Sequence, residues 1–268
     1  MRFLQWCLPR LGLRWPGFRR VRRTVCKRLG RRLEELGLER LEEYRAYLDR
    51  APAEWARLDA LCRIPVSRFA RDHALFGWLA EVGCPDLARS AEAEGRSAVR
   101  AWSAGCASGE EPYTLAILWR VAVRAAVPGV DLELLATDAD PTMIARAQEG
   151  CYQESSLREL PTSWREAGLA PREDGRLCVC PEIRDAVTLR RADLRAEMPA
   201  GPFDLILCRN VAFTYFGPWL QRRMTDRLRE RLVDGGLLVV GAHEAPPGAE
   251  EAGLAPAAGG LPVYRALA

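Results

Sequence analysis

The segment Ala101–Tyr113 has the composition of a ligand-binding turn between a strand and a helix. It reads Ala101-Trp-Ser-Ala-Gly-Cys-Ala-Ser-Gly-Glu-Glu-Pro-Tyr113. Gly105 and Gly109 permit a tight turn and a close approach of the backbone to a ligand, and Pro112 suits the first turn of a helix. The loop lacks the Lys of a phosphate-binding loop and carries two glutamates instead. The sequence therefore predicts a neutral or cationic ligand, and S-adenosylmethionine, a sulfonium joined to an adenosine and an amino acid, has that chemistry.

Further carboxylates follow other strand-like segments. Asp138 closes the run Leu134-Leu-Ala-Thr-Asp138. A carboxylate at that place can accept two hydrogen bonds from the vicinal hydroxyls of a ribose. The alternative role is a helix cap, which Asp140 before Pro141 fits well. We therefore assign the ribose to Asp138 and the cap to Asp140.

A third apolar run, Phe203–Cys208, ends in two polar residues, Arg209 and Asn210, and Tyr215 follows about a turn later. Ligands in parallel sheets bind beyond the carboxyl ends of the strands. The run therefore predicts that Arg209 and Asn210 face the ligand. A buried Arg–Asn pair that only holds a loop is the alternative.

Asp193 and Leu194 also follow a strand-like segment. An Asp side chain can accept a hydrogen bond from an exocyclic amine, while Leu supplies apolar contact. This pair is our candidate for the two sides of an adenine ring.

The elements that must position these residues alternate from Ala98 onward. Short apolar runs predict strands and longer amphipathic stretches predict helices, so residues 98–268 are expected to form an α/β domain with a doubly wound, mostly parallel sheet. Expected strands are Val99–Ala104, Leu132–Thr137, Phe203–Cys208 and Leu237–Gly241, and expected helices are Glu111–Ala126, Pro141–Gln148 and Pro218–Val233. The segments Gly175–Cys180 and Ala186–Arg190 interrupt this pattern and predict a small antiparallel hairpin inserted in the domain.

Residues 1–85 have helical periodicity and predict a small all-helical domain. Apolar residues recur at spacings of three and four between Phe18 and Leu48, with Gly37 placed to end one helix before another begins. Ala53–Ile64 and Ser67–Val82 predict two further helices. The polar, alanine-rich residues 86–97 are interpreted as a linker.

Charge is distributed unevenly along the chain. Residues 1–32 contain eleven Lys or Arg and no acidic residue, whereas the rest has 28 basic and 36 acidic residues, a net charge of −8. A basic segment on an acidic body indicates a negatively charged partner, such as an acidic protein helix, an anionic membrane surface or, less in keeping with the rest of the chain, nucleic acid. A solvated helix face in an arginine-rich protein is the alternative.

Composition excludes several classes of protein. No run of 18 apolar residues is present, and the first ten residues lack the apolar core of a signal peptide. Nine cysteines without a CxxC pair are expected to be free thiols in a reducing cytoplasm, although Cys178 and Cys180 leave a metal or redox role open. The chain has only two histidines, so a zinc site or a Ser-His-Asp catalytic triad is not favoured.

Taken together, these segments resemble the CheR-type chemotaxis methyltransferases. The matching segments, in order, are Trp102–Tyr113, Ala136-Thr-Asp-Ala-Asp140, Phe203-Asp-Leu-Ile-Leu-Cys-Arg-Asn-Val211, Val233-Asp-Gly-Gly-Leu-Leu-Val-Val-Gly241 and Val263-Tyr-Arg-Ala-Leu267. Upstream, Lys27–Leu38 with Glu43-Tyr44 resembles the basic helical N-terminal domain of the family, and Ser67–Asp72 resembles its Thr-x-Phe-Phe-Arg segment.

The resemblance implies a Rossmann-like fold and S-adenosylmethionine-dependent methylation of glutamate side chains on chemoreceptors. Carried over by position, it assigns Tyr215 to the active site, with Arg71 as our candidate for orienting the acceptor carboxylate. It places Arg28 and Arg31 on the helix that docks on an acidic receptor bundle. The implied cofactor contacts are Ser67, Arg71, Glu111, Asp138, Asp193, Leu194, Arg209 and Asn210, to which the glycine turn adds Gly105.

Departures from the family pattern concentrate on the acceptor side. The Asn-x-Thr of the family becomes Pro65-Val-Ser67, its Phe-Phe becomes Phe69-Ala70, and one extra residue separates Asn210 from Tyr215. Its Gly-His-Ser-Glu becomes Gly241-Ala-His-Glu244. Three hypotheses therefore stay open: a glutamate methyltransferase, a methyltransferase with another acceptor, and a binding module without turnover. For Arg71, an ion pair with Asp72 or another acid is the alternative role.

Overall fold

The computed structural model describes residues 2–268. Its first part is helical, and Gly37, with a φ of 67°, ends the third helix as predicted. The helices are α1 (Arg2–Cys7), α2 (Trp15–Phe18), α3 (Arg22–Leu36), α4 (Leu41–Arg50), α5 (Glu54–Cys62), α6 (His73–Trp78) and α7 (Cys84–Ala93), with a 3-10 turn at Leu8–Leu11 and a π-helical turn at Leu79–Gly83.

Strands and helices then alternate along the chain, as predicted. They are β1 (Ala98–Ala104), α8 (Glu110–Leu118), α9 (Arg124–Ala126), β2 (Asp131–Asp138), α10 (Pro141–Glu149), β3 (Cys151–Tyr152), α11 (Thr162–Gly168), β4 (Leu169–Pro171), β5 (Leu177–Val179), α12 (Pro181–Asp185), β6 (Val187–Arg191), β7 (Phe203–Cys208), α13 (Ala212–Tyr215), α14 (Pro218–Arg229), β8 (Leu232–Val240), β9 (Leu254–Pro256) and β10 (Val263–Ala266).

Seven strands form one sheet in the order β6-β2-β1-β7-β8-β10-β9. The five strands from β6 to β8 are parallel, and β10 runs antiparallel to both of its neighbours. The prediction of a Rossmann-like, doubly wound α/β sheet with N-terminal helices is confirmed.

Both faces of the sheet are covered, which explains why its central strands are continuous apolar runs. In β7, Leu205 and Leu207 pack into an apolar cluster with α6, α7 and α8. Ile206 and Cys208, which point the other way, pack into a second cluster with α14 and the N-terminal helices. The alternation of side chains places one layer of helices on each face. Because the five strands from β6 to β8 are parallel, their carboxyl ends lie at one edge of the sheet.

The N-terminal helices contribute to this second cluster directly. Phe18, Val25, Leu48 and Leu58 are almost fully buried in the same cluster as Trp102 of β1. Residues 2–62 therefore form a layer on the sheet in this structure. Their definition as a domain that folds on its own stays a prediction.

Two predicted segments differ from the structure. Residues 86–97, expected to be a linker, lie largely in α7, whose Leu87, Ala88 and Ala91 are buried against the sheet. The expected helix over Ser67–Val82 begins only at His73, since Ala70 and Asp72 have φ values of 50° and 69° that no α-helix accommodates. In both cases tertiary packing decided against the local pattern.

The inserted β structure also differs from prediction. Gly175–Cys180 and Ala186–Arg190 do not form a hairpin: β5 is the central strand of a three-stranded antiparallel sheet, β3-β5-β4, whereas β6 joins the main sheet parallel to β2. Because Cys151 lies directly opposite Cys178 across β3 and β5, the two form a disulfide. The expectation that all cysteines are thiols is therefore wrong for this pair.

Within residues 2–268, no helix combines the length and the apolar character needed to cross a bilayer.

Candidate functional site

A single cavity lies beyond the carboxyl ends of β1, β2, β6 and β7. Every residue that the sequence singled out for the cofactor or for the reaction lines it, although these residues come from five separate segments of the chain. They are Ser67, Arg71, Gly105, Glu111, Asp138, Asp193, Leu194, Arg209, Asn210 and Tyr215.

The glycine turn brings the backbone of the chain close to this cavity. Gly105 has a φ of 83°, and its N–H and that of Cys106 both donate to the carbonyl of Thr137, at 2.8 and 2.9 Å. A Cβ atom on Gly105 would lie 2.6 Å from Cγ2 of Val211, on the loop after β7. Only glycine satisfies both the positive φ and this contact, so the turn ties the ends of three strands together.

Asp138 is the last residue of β2 and lies beside the glycine turn. Its Oδ2 accepts the N–H of Ala107 at 2.9 Å, and its Oδ1 accepts the N–H of Asp140 at 2.8 Å. Burial raises the pKa of Asp138 above the ordinary Asp value, although the two N–H donors oppose that rise. Each oxygen keeps a free lone pair, so the carboxylate can still accept hydrogen bonds from two adjacent hydroxyls. Asp140 caps α10 as predicted, with Oδ1 accepting the N–H of Thr142 at 2.8 Å.

Glu111 and Arg209 form a buried ion pair at the entrance to α8. Arg209 donates from Nη1 to Glu111 Oε2 at 3.0 Å, and from Nη2 to the carbonyl of Arg71 at 2.8 Å and to the carboxylate of Asp72. The other oxygen of Glu111 accepts the hydroxyl of Ser103 at 2.8 Å. Arg209 therefore links the glycine turn to the loop before α6 and offsets the charge of two carboxylates.

A charge network that the sequence did not indicate holds Asp193, the residue predicted to flank the adenine ring. Arg195 donates to both oxygens of Asp193 and, through both terminal nitrogens at 2.7 Å, to the carboxylate of Asp59 on α5. Burial acts to raise the pKa of Asp193, but the hydrogen bonds and charge of Arg195, with the charge of Arg63, hold that pKa below its ordinary value. Arg63 also donates to the carbonyl of Ala139 at 2.8 Å. Helix α5 is thus fastened to the cavity wall.

The available sequence signal for this network was the Asp59/Arg63 pair at i, i+4 together with Arg195 two residues after Asp193. That signal could predict charge pairing within each segment. It could not predict that the two segments meet.

Arg71, Asn210 and Tyr215 form the opposite side of the cavity. Arg71 Nη2 lies 3.4 Å from Asn210 Oδ1, and Asp72 pairs with Arg209 instead, so the proposed ion pair of Arg71 with Asp72 is not formed. Among residues 2–268, no carboxylate oxygen lies within 4.0 Å of the Arg71 guanidinium nitrogens. Tyr215 is half-buried, and burial raises the pKa of its phenol.

Glu244 is a second missed residue, and it organises this side without lining the cavity. Its Oε2 accepts the N–H of Asn210 and that of Gly241, both at 2.7 Å, and its Oε1 accepts the hydroxyl of Thr214 at 2.6 Å. Asn210 has a φ of 57°, and these bonds hold that turn. The motif Gly241–Glu244 was visible in the sequence, but its structural role was not.

The two predicted partner-binding residues lie away from the cavity on α3 and differ in their surroundings. Arg28 is half-buried and donates from Nη1 to the carbonyls of Leu61 and Arg63, at 3.1 and 2.5 Å, where α5 ends. Arg31 is exposed. Arg28 therefore has a structural contact that the sequence did not indicate, whereas Arg31 is available to a partner.

The residues present fit S-adenosylmethionine. A half-buried carboxylate with free lone pairs faces the cavity at the end of β2. Gly105 has no side chain, so a ligand can approach the backbone of the turn there, and the lining contains no lysine. Together with the sheet order, this arrangement defines the class: an S-adenosylmethionine-dependent methyltransferase of the Rossmann-like type.

Comparison with known sequences identifies the family. Residues 65–253 match the sequence model described as "CheR methyltransferase, SAM binding domain". The chain belongs to the CheR family of S-adenosylmethionine-dependent methyltransferases, as the motifs predicted.

Relatives agree with this assignment. A "Probable chemotaxis protein methyltransferase" of Rhizobium etli is 33% identical over 233 residues, 84% of each chain. A "Chemotaxis protein methyltransferase" of Listeria innocua is 34% identical over 185 residues, 69% of this chain and 67% of its own. An uncharacterised 104.1 kDa protein of Rhodobacter capsulatus is 36% identical over 225 residues, 83% of this chain but 23% of its own length.

Proposed function

We propose that this protein transfers the methyl group of S-adenosylmethionine to glutamate carboxylates of a protein, such as a chemoreceptor. The observation that carries the proposal is the cavity itself. It has a half-buried carboxylate, Asp138, on one side and an arginine without a carboxylate partner, Arg71, beside Tyr215 on the other. A cationic donor suits the first side, and an anionic acceptor suits the second.

The cofactor side would be held by residues at the strand ends. Asp138 would accept the ribose hydroxyls, and Asp193 with Leu194 would flank the adenine. Glu111, Arg209, Ser67 and Asn210 would contact the amino-acid part, with Glu111 sharing its carboxylate between Arg209 and the ligand ammonium. S-adenosylmethionine supplies the methyl group on a sulfonium.

The acceptor side requires no strong general base. A glutamate is already ionised at neutral pH, so the protein has to orient one oxygen and exclude water. Arg71 would pair with the acceptor carboxylate, and the Tyr215 hydroxyl would donate a hydrogen bond beside it. Positioning of this kind can account for roughly 7–11 kcal/mol of a barrier when the geometry is near that of attack.

The chemical test distinguishes a carboxyl methyl ester from methylation of another group. Protein that has been labelled with tritiated methyl from S-adenosylmethionine is exposed to mild base, and volatile methanol is collected. We expect most of the label to be released, because a glutamate methyl ester is hydrolysed under these conditions and an N-methyl group is not. Base-stable label would instead support the same fold with a different acceptor. The departures from the family pattern at Ser67, Ala70 and Ala242-His243 make this the second hypothesis.

The proposed partner is an acidic helical bundle, as in a chemoreceptor. Arg31→Glu should weaken binding of a purified receptor cytoplasmic fragment by roughly tenfold at low salt and by less at high salt, since exposed charges are screened. Arg28 is unsuitable for this test because its substitution also removes the contacts with α5.

Arg89→Glu is the matched control, since Arg89 is exposed on α7, which packs on the opposite face of the sheet. If wild type, Arg31→Glu and Arg89→Glu bind the receptor fragment equally, the basic segment is a solvated helix face and does not bind the partner.

This proposal also places the protein in the cytoplasm, where receptor methylation sites lie. Disulfides are rare in that compartment. The Cys151–Cys178 disulfide is therefore an exception to that general expectation.

A further inference from the structure

Helix α13, which carries Tyr215, is a single turn of four residues. So short a helix is not stable by itself, because its few internal hydrogen bonds do not offset the cost of ordering it. The orientation of Tyr215 therefore depends on what α13 contacts. On one side the contact is Glu244, through Thr214.

On the other side the contact is the segment Gly12–Phe18, which we call the N-terminal strap. Its Arg14 donates from Nη2 to the carbonyl of Phe213 at 2.8 Å, from Nε to that of Thr214 at 3.1 Å, and from its backbone N–H to that of Tyr215 at 2.9 Å. One residue thus donates to three successive carbonyls at the C-terminal end of α13, the first of which also accepts the side-chain amide of Gln221 on α14 at 2.7 Å. A guanidinium at this end is also favourable for the helix dipole.

Close backbone packing continues on both sides of Arg14. The N–H of Gly217 donates to the carbonyl of Gly12 at 2.7 Å. A Cβ atom on Gly17 would lie only 2.2 Å from the carbonyl oxygen of Thr214. The strap and α13 therefore fit at a separation that only glycine permits.

The strap also reaches the cavity. Leu13 and Phe18 line it, and the Phe18 ring, which is 1% exposed, lies 5.0 Å from the Tyr215 ring between centroids. An apolar wall beside the tyrosine keeps water from the place where an acceptor oxygen would lie. The strap lies outside residues 65–253, which match the family's sequence model.

We propose that the N-terminal strap is part of the methyl-acceptor half of the site, with Arg14 as a positioning residue for Tyr215 and Phe18 as a wall of the acceptor entrance. The inference rests on the proposed function. The extra residue between Asn210 and Tyr215 lengthens the turn that carries the tyrosine. In the proposed arrangement the strap, which is distant in sequence, holds this longer turn in place.

The test compares Arg14→Ala with Arg10→Ala. Arg10 is exposed and donates to the carbonyl of Trp6 within its own helical segment, so it is a matched control in the same part of the chain. For Arg14→Ala we expect kcat/KM for a receptor cytoplasmic fragment to fall roughly 10- to 100-fold, since a displacement of about 1 Å can cost about 100-fold. The affinity for S-adenosylhomocysteine, measured by calorimetry, should match that of Arg10→Ala.

Two further variants separate positioning from general stability. Arg14→Lys keeps the charge and one donor group, so it should recover part of the activity. Gly17→Ala should reproduce the Arg14→Ala pattern, because the carbonyl of Thr214 must move. Two outcomes would overturn the inference. One is that Arg14→Ala loses acceptor turnover and S-adenosylhomocysteine affinity to the same extent. The other is that Arg14→Ala and Arg10→Ala have equal turnover.

Hydrogen exchange tests the strap without an acceptor. Arg14→Ala should accelerate exchange of the amides of 215–217 and leave those of 105–111 unchanged. If wild type transfers no methyl group to the receptor fragment, the proposed function fails while this measurement still decides the positioning role. Unchanged exchange at 215–217 would contradict it.

Discussion

Asp138→Ala is expected to abolish most of the affinity for S-adenosylhomocysteine. In the proposed cofactor site both oxygens of Asp138 accept ribose hydroxyls, and hydrogen bonds to a charged group contribute about 1.5–3 kcal/mol each. Loss of two such bonds corresponds to a decrease of about 100-fold or more in affinity. Isothermal titration calorimetry of wild type and variant measures it directly.

Asp131→Ala is the control, because Asp131 begins the same strand at its opposite, exposed end. Its affinity should equal that of wild type. Asp138→Asn separates charge from shape, since the amide keeps one acceptor but directs an N–H₂ group toward one of the backbone donors, Ala107 or Asp140. Wild-type affinity in Asp138→Ala would remove the basis for the cofactor site.

The same carboxylate predicts a pH dependence. Burial raises the pKa of Asp138, so the group loses its charge at a higher pH than an exposed Asp does as the solution is acidified. The ionised form is the one that accepts both hydroxyls. Affinity for S-adenosylhomocysteine should therefore be constant near neutral pH and fall as the pH is lowered toward this raised pKa, and Asp138→Asn should lack that part of the dependence.

Arg209→Met is expected to cause the largest loss of stability. The substitution retains much of the side-chain volume but leaves Glu111 and Asp72 without their shared cation at a position that is 6% exposed. Removal of one partner from a buried ion pair costs about 3–5 kcal/mol in the free energy of unfolding. Urea denaturation with the cofactor absent measures this term by itself.

Arg89→Met provides the comparison, because Arg89 forms an exposed pair with Asp86 on α7 and such pairs contribute about 0–1 kcal/mol. Arg209→Lys should be intermediate, since an ammonium keeps the charge but cannot bridge Glu111, Asp72 and the carbonyl of Arg71 together. If the free energies of unfolding of Arg209→Met and Arg89→Met agree within 1 kcal/mol, the ion pairs of Arg209 do not stabilise the fold.

The local roles at strand ends were predictable from the sequence because neighbouring residues determine them. Asp138 closes an apolar run, and the Gly105 turn precedes a helix that begins at Glu110. The alternating strands and helices then imply a parallel sheet, and a parallel sheet brings all its carboxyl ends to one edge. The positions of these residues around one cavity follow from that geometry.

Charge pairing across the fold was not predictable in the same way. The sequence predicted acidic groups together with Arg71 and Arg209 around a cationic ligand, but it did not indicate which charges pair. In the structure Arg209 offsets Glu111, and Arg195 offsets Asp193 and Asp59. Asp138 differs because its oxygens accept only backbone N–H groups. A pairing of residues far apart in the sequence, such as Arg195 with Asp59 at a separation of 136 positions, leaves no periodic signal in the chain.

The sequence by itself determined the fold class, the family and the residues at the strand ends, since short-range patterns of apolar, glycine and acidic residues encode these features. Tertiary structure alone decided which helices cover which face, why residues 86–93 are helical, and which distant segments hold Tyr215 and Asp193. These features depend on contacts between surfaces that form only when the chain has folded. The strap against α13 is the sharpest example, because Arg14 and Thr214 are two hundred residues apart and their partnership exists only in three dimensions.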